Sequence, residues 1–471
     1  MQEEGLTQDI ATPASAQTPV PAVATTTDKA PGKKVMFRHG DNWLWGIFIA
    51  LVLFSMVENY SASSRLITSS IKDPISSVLR HWEFLGGGVV VAYVCQRFHY
   101  TNYIWVSILF VFITFACYLL TAIMGSNLNG AVRALNLGGI SIQPSELAKV
   151  SITAIFAYIL SRNLSIKRGV KKAGIVWCTV IAGIYLCFSI SQGLTNTVII
   201  FVIAMGMVLI AGAGNLRKLI MSSVIFAMVM LAIWGIYSLA NSDDDSNEPA
   251  VETVEQKDPT EEDAEEEAPT IKLSRWETWL ARLSRKADSK PLWEHTTTEA
   301  KGVYAQEIYA RMAQANGGLF GVGFGQSRER SRLPLAFSDY IFSIIVEEWG
   351  FVGGLSLILL YMSLLWRAFS LASKYDKPFP RMLMLGLALT IVLQALAHVA
   401  INVGLTPVSG QPLPLISSGG TSIAMMSMAF GIMLSVSRSA SYETDTKEIK
   451  RQEMEQLPEV MRTSASKYRK P

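Results

Sequence analysis

Glu146 and Lys149 stand three residues apart in an otherwise apolar run. On a helix that spacing puts both side chains on one face, where they can neutralise each other. A charge at the bilayer centre costs about 2.5–3.5 kcal/mol on insertion scales, so charges kept in such runs usually serve a function. The pair is either a tie between helices or part of a polar site. A second run begins at Asp339 and carries Glu347 and Glu348, about 12 Å further along a helix axis at 1.5 Å per residue. A third feature is the segment 407–422, PVSGQPLPLISSGGTS, broken by Pro and Gly and bearing the hydroxyls of Ser417 and Ser418. Irregular backbone near membrane level is tolerated only where it lines a cavity or is buried in protein. Together these residues imply a polar cavity at one end of a helical bundle, suited to binding and proton transfer. The four cysteines (Cys95, Cys117, Cys178, Cys187) fall in apolar runs and lack metal-ligand spacing.

The elements that must position these residues are transmembrane helices. Of 471 residues, 50% are hydrophobic and 17% charged, and the mean hydropathy is +0.31. Soluble domains carry about 25% charged residues, and several runs here reach the roughly 20 residues that a bilayer demands. A soluble enzyme, a secreted disulfide scaffold and a disordered protein are excluded, and nothing points to nucleic acid. The expected fold is all-α: a polytopic membrane protein with ten transmembrane helices near 42–58, 82–96, 103–124, 144–161, 173–191, 196–213, 219–240, 339–366, 382–403 and 420–437. The second is Gly-rich (Gly86, Gly87, Gly88). With the N-terminus inside, short inner segments hold 20 Lys+Arg and short outer loops hold 4 (Arg65, Lys72, Arg80, Arg133). The positive-inside rule then puts both termini in the cytoplasm, of the cell's inner membrane.

This topology divides the chain into a disordered cytoplasmic arm (1–40), helices one to seven (41–240), one large extracytoplasmic loop between helices seven and eight (241–338), helices eight to ten (339–437) and a mixed-charge cytoplasmic tail (438–471). Loops of such length are usually functional or disordered. The part 243–270 is an acidic tract of solvated-spacer type. The part 272–290 places Trp276, Trp279, Leu280 and Leu283 on one helical face beside Arg275, Arg282, Arg285 and Lys286, as an interfacial amphipathic helix would.

The blocks QPSELAK (143–149), GGLFGVGFGQS (317–327), SDYIFSIIVEEWGFVGG (338–354) and PLPLISSGGTS (412–422) resemble the signature blocks of the SEDS proteins, the FtsW, RodA and SpoVE types of bacterial cell-wall synthesis. The likeness runs in order over about 40–440. ISSGGTS and SDYIF…EEWG look closer to the FtsW branch, whereas VSGQPLP is RodA-like. The resemblance implies polymerisation of lipid II outside the cytoplasmic membrane by inverting glycosyl transfer, with release of undecaprenyl diphosphate during cell division. It also implies a supporting divalent cation (Mn or Mg), a class B penicillin-binding protein as partner, and other divisome membrane proteins.

By the same resemblance, Glu299 falls where the family has its proposed catalytic Asp, just before Gly302 and Tyr304; Glu294 and Glu307 are local competitors. Glu146 and Lys149 match the family's buried pair. Arg133, Lys149, Asp339, Ser417 and Ser418 become candidate substrate-binding residues. The chain departs from the family at Ser338 and Ala134, where His and Trp are usual, at Leu194, which replaces an Asp, and at His398, which stands where Asn is frequent. Two rival functions fit the same features: a lipid II flippase, and a non-catalytic scaffold that activates a partner synthase.

Overall fold

The computed structural model describes residues 40–63, 74–124, 126–128, 131–137, 140–165, 169–190, 192–211, 303–333, 336–406 and 409–456. The expected seventh helix (219–240), the acidic tract, the amphipathic segment at 272–290 and Glu299 lie outside these residues.

Helices occupy the other nine expected positions. They are α1 (Asn42–Ser63), α2 (Pro74–Arg97), α3 (Asn102–Met124), α4 (Pro144–Asn163), α5 (Lys172–Ile190), α6 (Leu194–Ile210), α8 (Ile341–Ala372), α9 (Pro378–Asn402) and α10 (Gly420–Gln456), with a further helix, α7 (Val303–Gly317), before α8. Among the described residues, six helices are long and apolar enough to cross a membrane: α1, α3, α5, α8, α9 and the first 20 residues of α10. α4 carries Glu146 and Lys149 in its first two turns, which is why apolarity alone does not single it out.

Three features depart from the expected pattern. Between α3 and α4 lies a three-stranded antiparallel sheet of β1 (Ser126–Leu128), β2 (Ala131–Leu137) and β3 (Ile140–Ile142). The sequence signals it, since Asn129-Gly130 and Gly138-Gly139 separate the strands and such pairs favour tight hairpins. A second, two-stranded hairpin, β4 (Leu164–Ser165) with β5 (Gly169–Val170), joins α4 to α5. At the other end of the chain, α10 continues well past the apolar part, so 438–456 of the tail is helical. The run KEIKRQEMEQ (447–456) is made mostly of good helix formers.

Gly88 of α2 and Gly431 of α10 serve close packing, whereas Gly86 and Gly87 face open space. A Cβ on Gly88 would meet Ser427 Oγ at 2.5 Å, and one on Gly431 would meet the Ala92 carbonyl at 2.6 Å. Small residues let α2 and α10 approach backbone to backbone, the usual basis of helix association in lipid. Asp41 closes the N-terminus of α1: its Oδ1 accepts from the N–H groups of Trp43 (3.1 Å) and Leu44 (3.2 Å) and from Arg367 Nε of α8 (2.9 Å). Partial burial pushes this carboxyl up, but the Arg367 guanidinium and the two N–H groups outweigh it and hold Asp41 below the ordinary carboxylate range.

Candidate active site

The polar seam begins at Lys149. Its ammonium has three hydrogens, and all three are placed: on Glu146 Oε1 at 2.7 Å, Gln394 Oε1 at 3.2 Å and Gln411 Oε1 at 3.2 Å. Lys149 is 0% and Glu146 1% exposed. The second Glu146 oxygen accepts from Gln394 Nε2 (3.3 Å), which also donates to the Pro412 carbonyl (3.1 Å). Gln411 Nε2 reaches Asn196 Oδ1 on α6 at 3.0 Å. One ion pair thus fastens α4, α6, α9 and the irregular segment to one another. The expected pair is present, but Lys149 does not reach a surface from which it could bind a substrate, because its three donors are spent and it is sealed from solvent. Its position makes it a support for the segment above it.

That segment, 409–419, is built as its composition demands. Residues 411–417 are buried, so their backbone needs partners from neighbouring elements. Tyr361 donates to the Pro414 carbonyl (2.6 Å) and Ser55 to the Ile416 carbonyl (3.2 Å). Leu415 adopts φ 64°, a conformation rare for a side chain of this kind. Ser417 Oγ accepts from Leu413 N–H and donates to the Ser338 carbonyl, both at 2.7 Å. This commits Ser417 to the loop rather than to a ligand. Ser418 donates its N–H to the Phe337 carbonyl (3.1 Å) and is only half-buried. Asp339 directly follows the two residues whose carbonyls the segment bonds, Phe337 and Ser338; it is half-buried, accepts from Ser338 Oγ at 3.1 Å and lies close against Gly410. Of the sequence-predicted binding residues, Asp339 and Ser418 therefore stand together at the open edge of this segment, while Lys149 and Ser417 lie beneath it. Arg133 lies in β2, and Thr421 donates to the Ser141 carbonyl at 2.6 Å, which ties that sheet's last strand to the start of α10.

Three residues of α9 complete the seam: Gln394, His398 and Asn402. His398 Nδ1 lies 2.6 Å from the Gln411 carbonyl. A carbonyl can only accept, so Nδ1 carries a hydrogen and donates it. Asn402 Nδ2 donates to the carbonyls of Asp339 (3.1 Å) and His398 (3.0 Å), and its Oδ1 accepts from Ser343 Oγ at 2.9 Å. Gln314 of α7 donates to Ser343 Oγ (2.9 Å) and the Asn402 carbonyl (2.8 Å). α7 is thereby fixed over the end of the bundle where Asp339 and Ser418 emerge. Its Glu307 is engaged by Arg311 at 2.6 Å.

Glu347 and Glu348 organise a loop. Glu347 accepts from Ser327 Oγ, Arg328 N–H (3.1 Å) and Asn316 Nδ2 (3.4 Å). Glu348 accepts from Ser61 Oγ (2.5 Å), with Arg330 Nη1 at 3.9 Å. Between them and the rest of α8 the helix breaks at Gly350 (φ 71°, ψ −172°). The break frees backbone groups, and the loop satisfies them. Val322 and Gly323 N–H donate to the Glu347 and Glu348 carbonyls (2.9 and 3.0 Å), and Phe351 and Val352 N–H donate to the Gly318 and Leu319 carbonyls (2.9 and 3.1 Å). The contact requires glycine: Gly321 has φ +82°, and a Cβ there would meet the Glu348 carbonyl at 2.1 Å. Gly321→Ala is expected to lose at least about 1 kcal/mol from the left-handed backbone alone. The clash adds to this, and a lowered melting temperature of the purified protein checks it.

Among the described residues no three His, Cys, Asp or Glu side chains converge as a metal site. An Mg²⁺- or Mn²⁺-type ion needs only one or two carboxylates when phosphate oxygens supply the rest. Asp339 offers one.

The FtsW/RodA/SpoVE family of cell cycle proteins matches residues 41–243 and 279–442. The chain belongs to this family. It is 28% identical over 404 residues to stage V sporulation protein E of Bacillus subtilis (strain 168), covering 84% of this chain and 96% of that one. It is 28% identical over 394 residues to the probable peptidoglycan glycosyltransferase FtsW of Trichlorobacter lovleyi, covering 83% and 91%. A chain of a peptidoglycan synthase complex that coordinates polymerization and crosslinking shares the fold: TM-score 0.58 at 20% identity, covering 85% of this chain and 98% of that one. The family match spans both sides of the seam and takes in α7, the loop after it and the 409–419 segment.

Proposed function

We propose that the protein is a peptidoglycan glycosyltransferase that polymerises lipid II at the outer face of the cytoplasmic membrane during cell division. The chain has ten spans with both termini cytoplasmic, and the segment 241–338 is the large outer loop. The observation that carries this reading is the family membership over most of the chain, with relatives such as the probable glycosyltransferase FtsW of Trichlorobacter lovleyi. The site supports it: α7, Asp339 and Ser418 lie at one end of the bundle, and Glu299 stands four residues before α7 in sequence.

The reaction needs one proton acceptor and one place for negative charge. Glu299 takes the proton from the acceptor sugar hydroxyl. The freed oxygen attacks the anomeric carbon of the donor from the face opposite its diphosphate. The new glycosidic bond forms as the bond to the diphosphate breaks, and undecaprenyl diphosphate leaves with inversion. Arg133, Asp339 and Ser418 position the substrate, and Lys149 with Glu146 and Ser417 holds the floor beneath them. Asp339 is the residue that would help hold a divalent cation, and such an ion would supply countercharge for the diphosphate leaving group. A class B penicillin-binding protein cross-links the product strands, in company with other divisome membrane proteins. The likeness to a chain of a synthase complex supports such a partnership.

Purified protein given lipid II and Mn²⁺ is expected to release glycan polymer, more of it with the partner present. Lipid II crossing liposome leaflets without polymer would replace this reading with a flippase. Neither activity, with or without the partner, would leave a scaffold.

A further inference from the structure

α1 and α8 run antiparallel and are tied at both ends. At one end Arg367 bonds Asp41. At the other, Trp349 Nε1 donates to Glu58 Oε1 (2.5 Å), and Ser61 donates to Glu348 (2.5 Å). The ties are 17 residues apart on α1 and 18 on α8, hence about 26–27 Å at 1.5 Å per residue. A hydrocarbon core is roughly 30 Å thick. The first tie is an ion pair at the head of an apolar span, at one boundary of that core. The second tie, with the break at Gly350, then lies at the opposite boundary.

The loop bonded into that break carries its apolar side chains outward. Phe320 is 82% and Leu319 65% exposed; Phe324, Trp349 and Phe351 are exposed beside them. An apolar tip in water would be costly, by about 25 cal/mol per Å² of surface. Several of its backbone groups are already bonded to α8, the condition for lying at membrane depth. Arg330, at the same level, bonds Ser61 through Nη1 (3.2 Å), and Arg328 is exposed nearby. Aromatic rings with arginines beside them are the pattern of the membrane interface.

We infer that residues 318–325 form a lipid wedge: Leu319, Phe320 and Phe324 sit among the acyl chains at the hydrocarbon boundary of the leaflet remote from Asp41. The occupant is phospholipid. The wedge welds α8 to the chain leaving α7, and so sets the height of α7 against the bilayer surface. The inference does not depend on the reaction proposed above, and its test reads no activity.

The test uses the full chain with Cys95, Cys117, Cys178 and Cys187 replaced by Ala, in vesicles of phosphatidylethanolamine and phosphatidylglycerol. Spin labels go at Phe320→Cys and Phe324→Cys, with Leu359→Cys on the exposed flank of α8 and Ser331→Cys as references. The ratio of oxygen to nickel-chelate collisions at 320 and 324 is expected several-fold above that at 331 and below that at 359. A ratio equal to that at 331 would place the tip in water and overturn the wedge. Low collision rates with both probes would place it under protein, a partner or a second copy, and would overturn it too. Should the cysteine-free chain not fold, p-benzoylphenylalanine at 320 in the native background gives a second reading. Photo-adducts of phospholipid mass are expected; adducts to protein alone, or none, would overturn the inference.

Discussion

Glu299→Gln is expected to lower lipid II polymerisation by about 10²–10⁴-fold, the usual contribution of a positioned general base, with protein yield and partner binding unchanged. The substitution keeps size and hydrogen bonding but removes the basic oxygen. The nearby alternatives are weaker. Glu307 is held by Arg311 at 2.6 Å, Glu347 is buried and engaged by the 318–331 loop, and Glu348 is buried between Ser61 of α1 and Arg330. Asp339, half-buried beside the 409–419 segment, is the alternative to test. Near-normal turnover by Glu299→Gln, with loss in Asp339→Asn, would move the base there. Glu299→Asp supplies a further measure. It shortens the arm by one methylene, and misplacement by about 1 Å can cost on the order of 10²-fold, so an intermediate rate is expected.

How far the sequence foretells this arrangement depends on the range of the interaction. Nine of the helices follow from apolar runs, because a run's length is a local property, and the Glu146–Lys149 pair follows from spacing within one helix. Of that pair's partners, Gln394 carries a local signal: with His398 and Asn402 it recurs every four residues in an otherwise apolar stretch, which places the three on one helix face. The β1–β3 sheet was likewise marked by its Asn-Gly and Gly-Gly pairs. The roles of Lys149 and Ser417 were beyond local reading. Each is polar and sits in a signature block, yet each is saturated by groups distant in sequence: Gln394 and Gln411 in one case, the Ser338 carbonyl in the other. The bonding of the 318–323 backbone into the α8 break is of the same kind. A Gly in a helix shows that something approaches closely, but not what.

Glu146→Ala is expected to impair the fold more than the chemistry. Lys149 would keep its charge at a site with no exposure and would retain only the amide oxygens of Gln394 and Gln411, while Gln394 Nε2 would lose its Glu146 acceptor. Removing one member of a buried pair typically costs about 3–5 kcal/mol, since the surviving charge stays desolvated. The measurement is the yield of monodisperse protein and its melting temperature in detergent, beside polymer formed per folded molecule. A double change, Glu146→Ala with Lys149→Met, removes both charges and should recover most of the lost stability, because replacing a whole buried pair by apolar groups is often neutral. The double variant also separates support from catalysis. If Lys149 acts only by holding Gln411 and the 411–417 segment, the refolded variant retains measurable polymerisation. Full stability with activity abolished would instead put the Lys149 charge in the reaction itself.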